Sequence, residues 1–136
     1  MLGLLDKFRK KKKEKEKADV ESTQVMTELE KLCGDDRETY EALLNTMFLD
    51  PRKIDASMKE AVKNAKKFEK AKDSLRAKIW YKIAGGLAIY EGNVKKVTEF
   101  FSKCEKISPG TKYLILKNPE TAVVKAQEYY KKHLKA

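Results

Sequence analysis

The side chains whose spacing lets them act together are cationic. Lys59, Lys63, Lys66, Lys67 and Lys70 gather on one side of a helix at 100° per residue, with only Glu60 and Glu69 near their margins. The i,i+4 ion pairs that would neutralise such a face are mostly missing. A stripe of this kind presents ammonium groups to phosphates or carboxylates, although a plainly solvated helix face has the same pattern. The interleaved aromatics of a single-strand binder are absent from it.

A second cationic set stands near Met1. Leu2, Leu4, Leu5 and Phe8 fall at or beside helical spacing and are followed by Arg9, Lys10, Lys11, Lys12 and Lys13. From Met1 to Lys17, eight basic residues against three acidic ones carry +5, half of the chain's net +10. Three readings stay open for this segment. Its apolar side chains can enter a lipid interface while lysines meet anionic headgroups at about 1 kcal/mol each. Its lysines can lie along RNA or DNA phosphates with salt-sensitive affinity. Or it is a solvated terminus whose apolar residues pack on the domain. The pattern matches neither a secretory signal nor a spanning helix, and Gly3 sits one position too late for myristoylation.

Other reactive groups are sparse. Cys33 and Cys104 are isolated thiols and His133 is the single histidine, so neither a disulfide framework nor a zinc site is signalled, and a reducing cytoplasm fits best, with its membrane periphery as the further location in view. Both cysteines read as small apolar residues beside helix turns. No Ser/His/Asp set is nominated by spacing, and Gly85-Gly86 lies within a helical pattern instead of after a strand. A non-enzyme is expected, with no cofactor and no small-molecule substrate.

The elements that must hold these groups are all helical. Residues 1–18 form the basic amphipathic segment and 19–136 a single helical domain of five to seven helices. Val25, Met26, Leu29, Leu32 and Cys33 mark a short helix ended by Gly34. Asp35 with Glu38 has capping-box form, and Tyr40, Leu43, Leu44 and Met47 carry the next helix to Leu49, before Asp50-Pro51. The lysine helix is expected over Ala56 to Lys72, entered through Asp55 or Ser57. Ile79, Ile83, Leu87 and Tyr90, widened by Trp80, Ala84 and Ala88, predict the buried face of a central helix begun by Asp73 or Ser74. Gly92 suits a left-handed stop and Asn93 an N-cap for the helix of Val94, Val97, Phe100, Phe101, Cys104 and Ile107. Tyr113 to Leu116 reads as a helical turn. Asn118-Pro119 opens the last helix, and Lys131, Lys132, His133 and Lys135 suit its negative end.

Residues 78–109 resemble a tetratricopeptide repeat, a 34-residue helix-turn-helix, over about one quarter of the chain. Tyr81 stands at the large aromatic position, Ala84-Gly85 at the Leu-Gly pair and Gly92 at the turn glycine. Val97 and Cys104 take the small positions, Phe101 the second aromatic and Pro109 the end. Ala88 replaces the usual tyrosine, and Val97 is larger than the usual alanine. The resemblance implies antiparallel helical hairpins in a bundle or short solenoid and a protein-interaction adaptor. It also implies that Ile79, Lys82, Gly86, Ile89 and Asn93 line a groove for another protein or peptide. Terminal helix packing on the same residues is the alternative occupant. The rival functional reading is an RNA- or ribosome-associated protein using the basic segment and the lysine helix, so the partners in view are a protein or peptide, an anionic lipid surface, or RNA.

Overall fold

The computed structural model describes residues 28–134, and among these the regular elements are helices, with no strand. Leu2, Leu4, Leu5, Phe8 and the run Arg9 to Lys13 lie outside the described residues, as does the start of the first expected helix. Its described part, α1, covers residues 28–33. Gly34, at φ +58°, takes the left-handed position after it and donates its amide to Glu30 O at 3.0 Å.

α2 runs Arg37–Leu44. Its cap is Asp36, one residue later than the capping box of Asp35 and Glu38 predicts. The Asp36 carboxylate accepts both the Thr39 amide (3.1 Å) and the Thr39 hydroxyl (2.6 Å), two bonds that fix the start there. The helix also stops at Leu44, short of the expected Leu49. The chain beyond it leaves the helix so that the Phe48 ring can lie on Gly86, and Asp50 then caps a single 3-10 turn, Pro51–Lys53.

α3, Met58–Lys70, is capped by Ser57, whose side chain accepts the Glu60 amide at 3.1 Å. It ends in a Schellman arrangement: Asp73 N–H reaches Phe68 O (2.9 Å) and Lys72 N–H reaches Glu69 O (3.1 Å). Lys72 therefore sits at φ +59°, where glycine is usual. α4, Ser74–Glu91, begins on Asp73 and ends the same way, this time with Gly92 at φ +73°. Asn93 caps α5, Val94–Ile107, by accepting the Lys96 amide. A 3-10 turn, Leu114–Lys117, leads to α6, Pro119–His133, which starts at Asn118 with proline in its first turn.

α4 is the centre of the packing, and its buried face follows the predicted one in part: Leu87, Ala84 and Ala88 are buried and Trp80 and Ile83 half-buried, but Ile79 and Tyr90 are not. Ile79 is 45% exposed and Tyr90 is also at the surface, whereas Ala77, Tyr81, Ala84, Gly85, Ala88 and Ile89 are buried. Small residues decide this, because they let neighbours come close on more than one side. α3 lies along α4 with its own alanines, Ala61 and Ala65, fully buried, and Tyr81 donates its hydroxyl to Glu69 at 2.8 Å. α5 packs on α4 through Phe101 on Gly85, Phe100 on Tyr81 (centroids 6.5 Å apart) and the Cys104 thiol near Lys78 O. α6 closes the far end: the Gln127 amide donates to Tyr90 O (2.8 Å) and to Ile89 O (2.6 Å), the second of which also accepts the Gly92 N–H at the end of α4. Tyr130 donates to Phe48 O at 2.6 Å and so holds the segment whose ring covers Gly86.

Candidate anion-binding face

The lysine stripe of α3 is positioned by the alanines opposite it. Ala61 and Ala65 are drawn fully against α4, which turns Lys59, Lys63, Lys66, Lys67 and Lys70 to solvent together. Lys63, Lys66, Lys67 and Lys70, with Ala71, line one shallow concavity of about 550 Å³. Lys59 stands one turn before Lys63, so at about 1.5 Å per residue the stripe is roughly 17 Å long.

Lys31, Lys96, Lys125, Arg37, Arg52 and Arg76 each approach a carboxylate, whereas the five α3 lysines, like Lys78, Lys95, Lys106 and several others, do not among the described residues; what sets the α3 lysines apart is that they stand together on one helix face. Glu69, the acid nearest the C-terminal lysines in sequence, is engaged by the Tyr81 hydroxyl. That pairing, together with burial as the larger cause, pushes the Tyr81 hydroxyl up to about 12. The helix dipole accounts for Lys67 and Lys70 in the last turn, where cations are favoured. It works against Lys59 in the first turn and leaves Lys63 unexplained.

The lysine helix, expected over Ala56 to Lys72, runs only Met58–Lys70, so Lys72 lies beyond its end. The signal for it is local: a residue between a helix end and the capping Asp73 takes the left-handed position, and here that residue is a lysine. A non-glycine residue in this region costs about 1 kcal/mol or more.

The groove expected from the repeat pattern is not an open one. Gly86 is covered by the Phe48 ring, Ile89 has no exposed surface, and Asn93 is occupied as a cap. Ile79 and Lys82 remain exposed, and Leu75 one turn earlier is 67% exposed. The segment after α2 covers Gly86, and the terminal helix, the alternative occupant, reaches Ile89 through the Gln127 bond to its carbonyl and holds the covering segment through the Tyr130 bond to Phe48. A separate shallow concavity of about 650 Å³ opens where the end of α4 and the start of α5 meet α6, between Tyr90, Val94, Val124 and Leu134.

Cys104 is fully buried and its thiol is pushed up to about 11, chiefly by burial; Cys33 is buried and raised for the same reason. His133 is exposed against the Tyr129 ring, 4.6 Å between centroids. Among the described residues no group of His, Cys, Asp and Glu is placed to hold a metal, and no helix is long and apolar enough to cross a membrane. No family model, no curated protein and no solved structure matches this chain.

Proposed function

We propose that the chain is a non-catalytic adaptor that meets an anionic partner through the lysine face of α3. The observation that carries this reading is the concavity of Lys63, Lys66, Lys67 and Lys70, four cations that line one hollow with no carboxylate in ion-pair range among the described residues. Unneutralised ammonium groups concentrated on one rigid helix raise the local concentration of anions and the rate at which they dock.

The scaffold in this reading is a set of antiparallel hairpins of the tetratricopeptide type, with α4 and α5 as the best-formed pair. Gly92 at its left-handed turn, the Gly85 contact with Phe101, and the fully buried Val97 and Cys104 support it. Each is a position that the repeat requires to be small or close-packed.

Elution from a polyanionic column tests the reading. Replacing Lys63, Lys66, Lys67 and Lys70 with Gln lowers the salt needed for elution more than replacing Lys95, Lys103, Lys106 and Lys112, which removes the same charge elsewhere. Equal shifts for the two sets would reduce the face to its share of the net charge.

A further inference from the structure

We propose that the anionic partner of the α3 face is the phosphate backbone of a nucleic-acid duplex, held without regard to base sequence. This rests on the reading of that face as an anion-docking surface and adds the class of partner. Four observations lead from anion to duplex.

The first is what the face lacks. A single strand is held by stacking its bases on aromatic side chains. The exposed positions of α3 are lysines and glutamates, and its one aromatic, Phe68, is half-buried under the Arg76 guanidinium.

The second is the location of exposed apolar groups. A lipid interface takes up aliphatic and aromatic side chains beside the basic ones. The large apolar residues most exposed among those described are Leu75, Ile79, Tyr90 and Val124, on α4 and α6, and none is on α3. Leu75 and Ile79 lie on the side of α4 turned away from the Ala77 and Ala84 face, so they do not extend the lysine stripe.

The third is the composition of the stripe. Protein interfaces are depleted in lysine at their core and carry aromatic anchors, whereas nucleic-acid interfaces are strongly positive and polar. A face of five lysines with no exposed aromatic among them has the second composition.

The fourth is length. A roughly 17 Å stripe lies alongside about ten duplex charges at one per about 1.7 Å of axis, which gives each of the five lysines a phosphate within reach. Lysine on a flexible stem suits this contact, because backbone phosphates need a point charge and no fixed angle. The stem also reads no base edge and no 2′-hydroxyl, so DNA and RNA duplexes are bound alike.

The test is a salt titration of the full chain against a fluorescent DNA duplex of about 20 base pairs, between about 50 and about 200 mM salt. Each backbone lysine contributes about 0.9 to the slope of log affinity on log salt, so Lys63→Gln with Lys67→Gln lowers the slope by about 1.8. Scrambling the base sequence leaves the affinity within a few-fold, and an RNA duplex behaves similarly. The variant retains its unfolding midpoint, because both side chains are exposed and Gln is a good helix former. Duplex binding with an unchanged slope would overturn the inference, since other cations would then hold the DNA. If the duplex fails to bind while phosphatidylserine vesicles or polyglutamate bind the parent and lose the variant, the nucleic-acid assignment falls and the anion-docking reading stands. If parent and variant behave alike on every polyanion, both fall.

Discussion

Lys72 pays a conformational cost that its neighbour in the fold avoids. The corners after α3 and α4 have the same hydrogen-bond pattern and nearly the same φ, yet one carries lysine and the other Gly92. Relief of left-handed strain, about 1–2 kcal/mol, exceeds the extra chain entropy glycine loses on folding, about 0.5–1 kcal/mol. Lys72→Gly is therefore expected to raise stability by about 0.5–1 kcal/mol, seen as a higher urea midpoint at unchanged m-value. A lower midpoint would mean that the lysine side chain contributes something the geometry does not reveal. The two helix-interior glycines separate in a similar way. A methyl group at Gly85 would meet the Phe101 ring at 2.6 Å, and Phe101 is fully buried with nowhere to go. Gly85→Ala should cost about 1–3 kcal/mol through overpacking. Gly86 is crowded by Phe48, which is only half-buried on an irregular segment. Its ring can withdraw, and the gain in helix propensity of about 1 kcal/mol offsets much of the loss, so Gly86→Ala is expected to be clearly the milder change in the same denaturation experiment.

At the scale of the elements, corners were readable and faces less so. Gly34, Ser57, Gly92, Asn93 and the Asn118-Pro119 pair each act through a hydrogen bond or a backbone angle set within four residues, and each stands where local chemistry predicts. Asp35 and Asp36 are equally good caps by type, and only the Thr39 hydroxyl distinguishes them. On α4, Leu87, Ala84 and Ala88 are buried where the periodicity puts them, while Ile79 and Tyr90 are not, because large apolar residues dominate a periodicity. Beyond the predicted Ala84 and Ala88, the contacts run through Ala77 and Gly85, whose value lies in being small where neighbouring helices approach. The lysine face was legible because α3 touches the bundle along one side only. The expected groove was not, since Phe48 reaches it from a segment with no helical period. That segment depends on one bond from α6. Tyr130→Phe removes the hydroxyl that Phe48 O accepts and should cost about 1 kcal/mol, with faster amide exchange concentrated in residues 45–50. Exchange that rises uniformly would show that the bond is not what holds the segment.

For the whole molecule, burial makes stability sensitive to alkali. The Cys104 thiol is held at about 11 and the Tyr81 hydroxyl at about 12, above their ordinary values of 9.0 and 10.0, and burial raises Tyr130 as well. A group whose folded value is raised contributes stability that is intact below its unfolded value and is lost as pH climbs toward the folded one. These three therefore leave stability unchanged from neutral pH to about 9 and erode it above, by up to about 1.4 kcal/mol per pH unit for each group in its window. Unfolding midpoints that already fell between neutral pH and about 9 would require a different titrating group.

The molecule also gathers five lysines, unpaired among the described residues, on one face of one helix, and its function follows from that clustering in our account. Mapping backbone amide shifts of the full chain during titration with a short DNA duplex tests this most directly. The account predicts the largest shifts along Lys59 to Lys72, fading as salt is raised. Shifts confined to residues 1–27 or to the Lys131 end of α6, with α3 unmoved, would contradict it.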